Sequence, residues 1–180
     1  MSPVLIIITI NLLIFLITVI FSQLVYVLGL SPSIFLGSPW TLATSMFVHA
    51  GFGHIFGNML TLFFFGSYLT RLVGNNKFLF VYLAGGILGN LLYLLLAPPF
   101  SIAVGASGAV YAVAGVLAMM RPNLKVMLYF IIPMPLWVVV LVFFVIWSFI
   151  PGVAWQAHLG GLTLGLTAGY FFRKRERSFF

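Results

Sequence analysis

Charged side chains are scarce in this sequence, and acidic ones are almost missing. Only 5% of the 180 residues are charged, and Glu176 is the single acidic residue among them. A soluble domain carries about 25% charged residues. Because 63% of the residues are also hydrophobic, the composition predicts an integral membrane protein.

Cysteine is absent altogether. This excludes a disulfide framework, a thiol nucleophile and any metal site built on cysteine. The formal net charge of +7 is compatible with a nucleic-acid partner. However, the basic residues are too few and too dispersed to line a phosphate groove, so we expect no such partner. We interpret them as signals of membrane topology.

The basic residues fall into three groups separated by long apolar stretches. Arg71 and Lys77 form the first group, Arg121 and Lys125 the second, and residues 173–177 contain the third. Since a membrane span takes about 20 residues, two helices fit between successive groups and two more precede the first. All three groups then lie on one face of the membrane, and the positive-inside rule makes that face cytoplasmic.

The predicted fold is therefore an all-α membrane protein of six transmembrane helices, with both termini cytoplasmic, forming one domain over residues 1–180. The helices are expected at approximately 4–28, 53–70, 78–96, 106–120, 136–150 and 156–172. The first apolar run is long for a signal peptide and has no basic segment before it, so we interpret it as a retained helix. No internal repeat is visible, which disfavours an inverted-repeat transporter.

The stretch Gly105–Gly108 follows a break at Pro98-Pro99 and opens an apolar run. This pattern predicts a tight loop entering a helix, with Ser107 in the first helical turn. Backbone N–H groups in a first turn have no helical partners, so a serine there can be a nucleophile beside an oxyanion site. Small residues also line close helix contacts in membranes, and this stretch alone leaves that structural alternative open.

Further polar side chains lie inside two other predicted spans. His54 and Asn58 are four residues apart and share one helix face. A second shared helix face contains His158, Gly161 and Gly165. It combines a titratable side chain with two glycines, which leave a groove where the backbone of another helix can come close. Polar groups within spans usually face the bundle interior or a water-filled cavity. For His54 and Asn58, a structural pair bonded to neighbouring helices is an equally good interpretation.

Depth in the membrane favours a common site. At about 1.5 Å per residue, Ser107, His158 and the His54–Asn58 pair all lie about 20–25 Å from the nearest cytoplasmic basic group. In a hydrocarbon core about 30 Å thick, they then sit roughly 5–10 Å below the outer surface. His49 lies in the loop before the second helix, and we interpret it as structural.

The chemistry of such a site follows from the residue types. A serine hydroxyl is a weak nucleophile and needs a base within hydrogen-bonding reach, for which His158 is the candidate. Glu176 lies in the cytoplasmic tail, on the wrong side for a triad. The site would thus be a Ser–His dyad whose imidazole is oriented by packing or by a non-acidic partner. The Ser107 backbone N–H and the Asn58 side chain are candidates to bind the oxyanion, with His54 as a further donor.

At these residues the sequence resembles the rhomboid intramembrane serine proteases. The resemblance covers approximately residues 40–169 and rests on three motifs in this order: His54-x-x-x-Asn58, Gly105-x-Ser107-Gly108 and Ala157-His158-x-x-Gly161-x-x-x-Gly165. It implies that Ser107 is the nucleophile and His158 the base. It also implies an oxyanion site formed by two side chains and two backbone N–H groups, those of His54, Asn58, Ser107 and Ala106. The usual Trp-Arg pair of the family's first loop is Trp40-Thr41 here.

The resemblance implies an endopeptidase that cleaves transmembrane segments of other membrane proteins near their outer ends, without a cofactor or a metal ion. We expect a multi-pass protein of a prokaryotic plasma membrane, with the site opening to the extracytoplasmic face; the oligomeric state stays open. One alternative is an inactive relative that binds or escorts membrane clients, although such relatives typically lack the serine or the histidine. A transporter or channel would need polar residues along a through-pathway, whereas the inner halves of these helices are nearly all apolar.

Overall fold

The computed structural model describes residues 2–128 and 131–177, which are mostly helical. Two helices, Pro3–Ile20 and Asn75–Leu96, are long and apolar enough to span a membrane. The segments Thr41–Phe47 and Phe52–Val73 are long and apolar enough to span a membrane only when taken together, and their axes are bent by 91° at the break between them. Ser107–Met120 and Leu136–Ser148 are shorter apolar helices. The predicted class of apolar, mainly helical membrane protein is confirmed, and the count of six spans stays a prediction.

The described residues form α-helices, two 3₁₀ helices (Pro32–Gly37 and Ser45–Phe47), connecting loops and one β-hairpin. The helices are α1 (Pro3–Ile20), α2 (Leu24–Leu28), α3 (Thr41–Thr44), α4 (Phe52–Thr61), α5 (Ser67–Val73), α6 (Asn75–Leu96), α7 (Ser107–Met120), α8 (Leu136–Ser148) and α9 (Trp155–Arg177). A π-helical segment, Leu62–Gly66, joins α4 to α5 into one continuous helical stretch. The strands are β1 (Lys125–Leu128) and β2 (Ile132–Pro135).

The first predicted helix is wrong in its extent. It was expected over residues 4–28, but α1 ends at Ile20 and α2 starts only at Leu24. Phe21 leaves the helical conformation, with φ −115° and ψ 74°. The β-branched run Thr18–Ile20 weakens the helix end, and Ser22 favours a turn. Hydropathy stays high through Phe21 and therefore gives no sign of the break.

The last helix also differs from the expectation, and the structure adds a hairpin for which there was no prediction from the sequence. The last helix continues to Arg177 instead of ending near residue 172. The apolar stretch after α7 forms an antiparallel hairpin in which Lys125 pairs with Pro135 and Met127 with Pro133. Proline lacks the N–H that a central strand must donate, so β2 suits a two-stranded hairpin, where it has a partner on one side only.

Small residues bring α6, α7 and α9 into close contact. A Cβ atom added at Gly161 of α9 would collide with the Gly108 carbonyl oxygen of α7, and one at Gly165 would collide with that of Ala112. The backbones of α7 and α9 can approach this closely only because these positions lack side chains. The predicted close approach along the face of His158 is confirmed, and it places the first turn of α9 beside the first turn of α7.

The segment between α2 and α4 is tied to the helices by side-chain hydrogen bonds. Asn90 of α6 donates from Nδ2 to the Leu42 carbonyl at 2.7 Å and to Ser45 Oγ at 2.9 Å. Trp40 Nε1 donates to the Val27 carbonyl at 3.1 Å. Within the segment, Thr41 Oγ1 donates to the Ser38 carbonyl at 2.6 Å. This loop is therefore anchored by neutral hydrogen bonds.

Candidate active site

The turn before α7 presents Ser107 at the helix N-terminus. Gly105 has φ +127°, a conformation that residues with side chains rarely adopt. A Cβ atom there would also lie 2.6 Å from His54 Cε1. Glycine is thus required both by the backbone and by the space in front of His54. Ser107 is the first residue of α7 and stays partly exposed.

The structure brings the Ser107 hydroxyl and the His158 ring together. His158 Nε2 lies 2.8 Å from Ser107 Oγ, which is within hydrogen-bonding distance. His158 is buried, with 6% of the residue's surface exposed. A neutral ring that accepts the hydroxyl proton at Nε2 must carry its own proton at Nδ1. The pair thus has the arrangement of a nucleophile and its general base.

Tyr111 is a residue of this site that sequence reasoning missed. Its ring packs on His158 with 4.6 Å between centroids and 32° between planes. Phe144 of α8 packs edge-on against Tyr111 at 6.0 Å. No protein atom within residues 2–128 and 131–177 is hydrogen-bonded to His158 Nδ1; the ring contacts Tyr111 and Ser107 Oγ. The available signal was its position four residues after Ser107, on the same helix face.

His54 and Asn58 lie on one face of α4, as their spacing predicts. His54 is partly exposed and stands directly against Gly105. Asn58 is buried and donates from Nδ2 to the His54 carbonyl at 2.9 Å, within its own helix. The structure therefore brings His54 to the turn that carries Ser107, while one amide hydrogen of Asn58 bonds to the α4 backbone.

The Ala106 N–H, assigned to the oxyanion site by resemblance, points at His49. The Ala106 nitrogen lies 3.4 Å from His49 Nε2. The His49 ring also contacts that of His54 edge-on at 5.0 Å. His49, interpreted from the sequence as a loop residue with a structural role, thus touches the turn before Ser107. Among the residues that the structure describes, no cluster of three or more His, Cys, Asp or Glu side chains could hold a metal ion.

Comparison with known proteins identifies related chains. A family model described as the rhomboid domain matches residues 36–175. The chain is 32% identical over 154 residues to the rhomboid-family protein YdcA of Bacillus subtilis, covering 79% of this chain and 72% of that one. It is 31% identical over 151 residues to Rhomboid protein 1, mitochondrial, of Saccharomyces cerevisiae, covering 72% of this chain and 41% of that one. It is 30% identical over 132 residues to rhomboid protease GluP of Bacillus subtilis, covering 73% of this chain and 26% of that one. The chain spans less than half the length of the last two relatives.

Proposed function

Because this chain belongs to the rhomboid family, we propose that it is an intramembrane serine endopeptidase with Ser107 and His158 as its catalytic dyad. The observation that carries this proposal is the distance of 2.8 Å between His158 Nε2 and Ser107 Oγ. Family membership supports an intramembrane protease in general terms, and the paired side chains supply the specific chemistry.

In the proposed reaction, Ser107 Oγ attacks the carbonyl carbon of the scissile peptide bond while its proton moves to His158 Nε2. The tetrahedral intermediate collapses as its C–N bond breaks, and the leaving amine takes the proton from His158. An acyl ester on Ser107 remains. Water then attacks this ester with His158 again acting as base, which releases the second product and restores the hydroxyl.

The oxyanion of the intermediate would lie at the N-terminus of α7. The Ser107 N–H is a first-turn donor without an intrahelical partner, and the helix dipole favours negative charge there. An amide group has two N–H donors, so Asn58 can bond to the His54 carbonyl and still donate a second hydrogen. His54 adds a third donor beside Gly105. The Ala106 N–H would join this set only by leaving His49.

The proposed topology is one domain over residues 1–180 with six spans and cytoplasmic termini, in a prokaryotic plasma membrane. Ser107 then lies near the outer surface, and the substrates are transmembrane segments of other proteins. An intact substrate helix covers its peptide bonds, so it must unwind locally before Ser107 can attack. Unsatisfied backbone groups in lipid cost several kcal/mol each. We therefore propose cleavage near the outer end of a span, after a small residue, where Gly, Pro or polar residues weaken the helix.

The test uses the purified full chain in detergent with a fluorophosphonate probe, followed by cleavage of a single-span substrate in liposomes. The wild type should be labelled and should cleave, while Ser107→Ala and His158→Ala should do neither and stay folded. Ser67→Ala, which changes a serine at the start of α5, is the matched control and should behave as wild type. Cleavage that persists in Ser107→Ala would refute the dyad, and a folded wild type without labelling or cleavage would favour the inactive binding protein.

A further inference from the structure

His49 is a buried histidine that the proposed reaction does not use. It lies between Phe47 and α4, and only 2% of its surface is exposed. Its Nε2 accepts a hydrogen bond from the Ala106 N–H at 3.4 Å. One residue earlier, the Gly105 N–H donates to the Ser45 carbonyl at 2.9 Å. Two successive N–H groups before Ser107 are thus held by one loop, residues 45–49.

The chemistry of this contact defines the state of the ring. A backbone N–H can only donate, so His49 Nε2 has to be an unprotonated acceptor and the ring proton has to be on Nδ1. Burial, followed by the nearby His54, lowers the pKa of His49 to about 3. A neutral ring is what the contact requires, because the imidazolium ion has no free acceptor nitrogen.

The turn before Ser107 needs hydrogen bonds from outside because its own backbone does not fix its conformation. Gly105 has φ +127° and lacks a side chain, so it can adopt many alternative conformations. The two hydrogen bonds to loop 45–49 select one of them. Asn90 in turn holds this loop through Ser45 Oγ and the Leu42 carbonyl, which connects the turn to the rigid helix α6.

We propose that His49 is a positioning residue for the catalytic serine. By accepting the Ala106 N–H, it orients the turn so that the Ser107 N–H faces the reacting carbonyl and Ser107 Oγ faces His158. The Ala106 N–H is then committed to His49 and does not bind the oxyanion. This inference rests on the proposed protease function, and it assigns the residue a role that acts through Ser107.

The kinetic test compares two substitutions. His49→Gln keeps an acceptor near the position of Nε2, whereas His49→Phe keeps a ring but leaves the Ala106 N–H unpaired. Since a misplacement of about 1 Å can lower a rate by about 10²-fold, we expect His49→Phe to lower kcat by about 10- to 100-fold with KM nearly unchanged. His49→Gln should recover most of this loss. Val48→Ala, which removes buried packing from the same loop, is the control and should lower thermal stability more than kcat.

The spectroscopic test needs neither activity nor a substitution at His49. The chain has three histidines, so protein labelled with ¹⁵N-histidine gives three pairs of ring-nitrogen signals, one Nδ1 and one Nε2 signal per ring, which are assigned with His54→Gln and His158→Gln. We expect His49 in wild-type protein to carry its proton on Nδ1 and to stay neutral between about pH 5 and 8. A proton on Nε2 would overturn the proposal.

The two tests separate the proposals. Equal kcat losses in His49→Phe and His49→Gln, or full kcat in folded His49→Phe, would overturn the positioning role while leaving the protease function intact. A wild type that neither cleaves nor reacts with fluorophosphonate would overturn the protease function, and the positioning role with it, even if the Nδ1–H form of His49 is observed.

Discussion

Gly89→Ala is predicted to reduce catalysis from a position outside the candidate active site. Gly89 lies on α6 and faces the start of α9, where a new Cβ atom would be 2.5 Å from the Ala157 carbonyl oxygen. Ordinary van der Waals contact begins at about 3.4 Å. The two backbones must then separate by about 0.9 Å. Ala157 directly precedes His158, so the displacement acts on the proposed base.

Two magnitudes follow from this displacement. Overpacking of a well-packed core costs about 1–3 kcal/mol of stability. A catalytic group shifted by about 1 Å lowers the rate by about 10²-fold. We therefore expect Gly89→Ala to remain folded with a lower unfolding temperature, and to lose about 10- to 100-fold in kcat. Fluorophosphonate labelling of Ser107 should slow in parallel.

Gly169→Ala is the matched control, on the face of the same helix α9 that packs against α7. Its new Cβ atom would lie 2.8 Å from both Met119 Cβ and the Val116 carbonyl oxygen, so it also overpacks the interface. This position is three turns of α9 away from His158, and kcat should change little at similar thermal destabilisation. The reasoning would be refuted if both variants lost activity in proportion to stability, or if Gly89→Ala kept full kcat.

Three further predictions concern the side chains of the site and the substrate. Asn58→Ala and His54→Ala should each lower kcat by about 10²-fold or less with KM little changed, because other oxyanion donors remain; a rise in KM alone would assign them to substrate binding. Tyr111→Phe should retain activity because its ring still packs on His158, while Tyr111→Leu should lower kcat by about 10-fold or more; equal activities would exclude orientation by the ring. Replacing Gly or Pro in a substrate span by Leu should slow cleavage more than changes in its cytoplasmic tail, as mapped by mass spectrometry; cuts clustered at the cytoplasmic end would contradict the proposed topology.

The amino-acid sequence alone was sufficient to determine the class of protein and the candidate dyad. Membrane insertion follows from composition, because lipid excludes charge whatever the tertiary arrangement. The residues Ser107 and His158 were found through local features, namely a glycine turn before a helix and a small-residue face. Their similar depth follows from helix rise, which is a local quantity. The small-residue faces of α7 and α9 predicted that the two residues can meet, and the structure places His158 Nε2 2.8 Å from Ser107 Oγ.

Tertiary structure decided the features that depend on partners far apart in the chain. The bond from the Ala106 N–H to His49 joins residues 57 positions apart, and no local pattern indicates which acceptor a turn N–H will meet. The packing of Tyr111 on His158 likewise requires α7 and α9 to be docked first. The end of α1 at Ile20 was missed because hydropathy indicates burial in lipid and carries no information about backbone conformation. A sequence specifies which groups need partners, and only the packed chain determines which partners they receive.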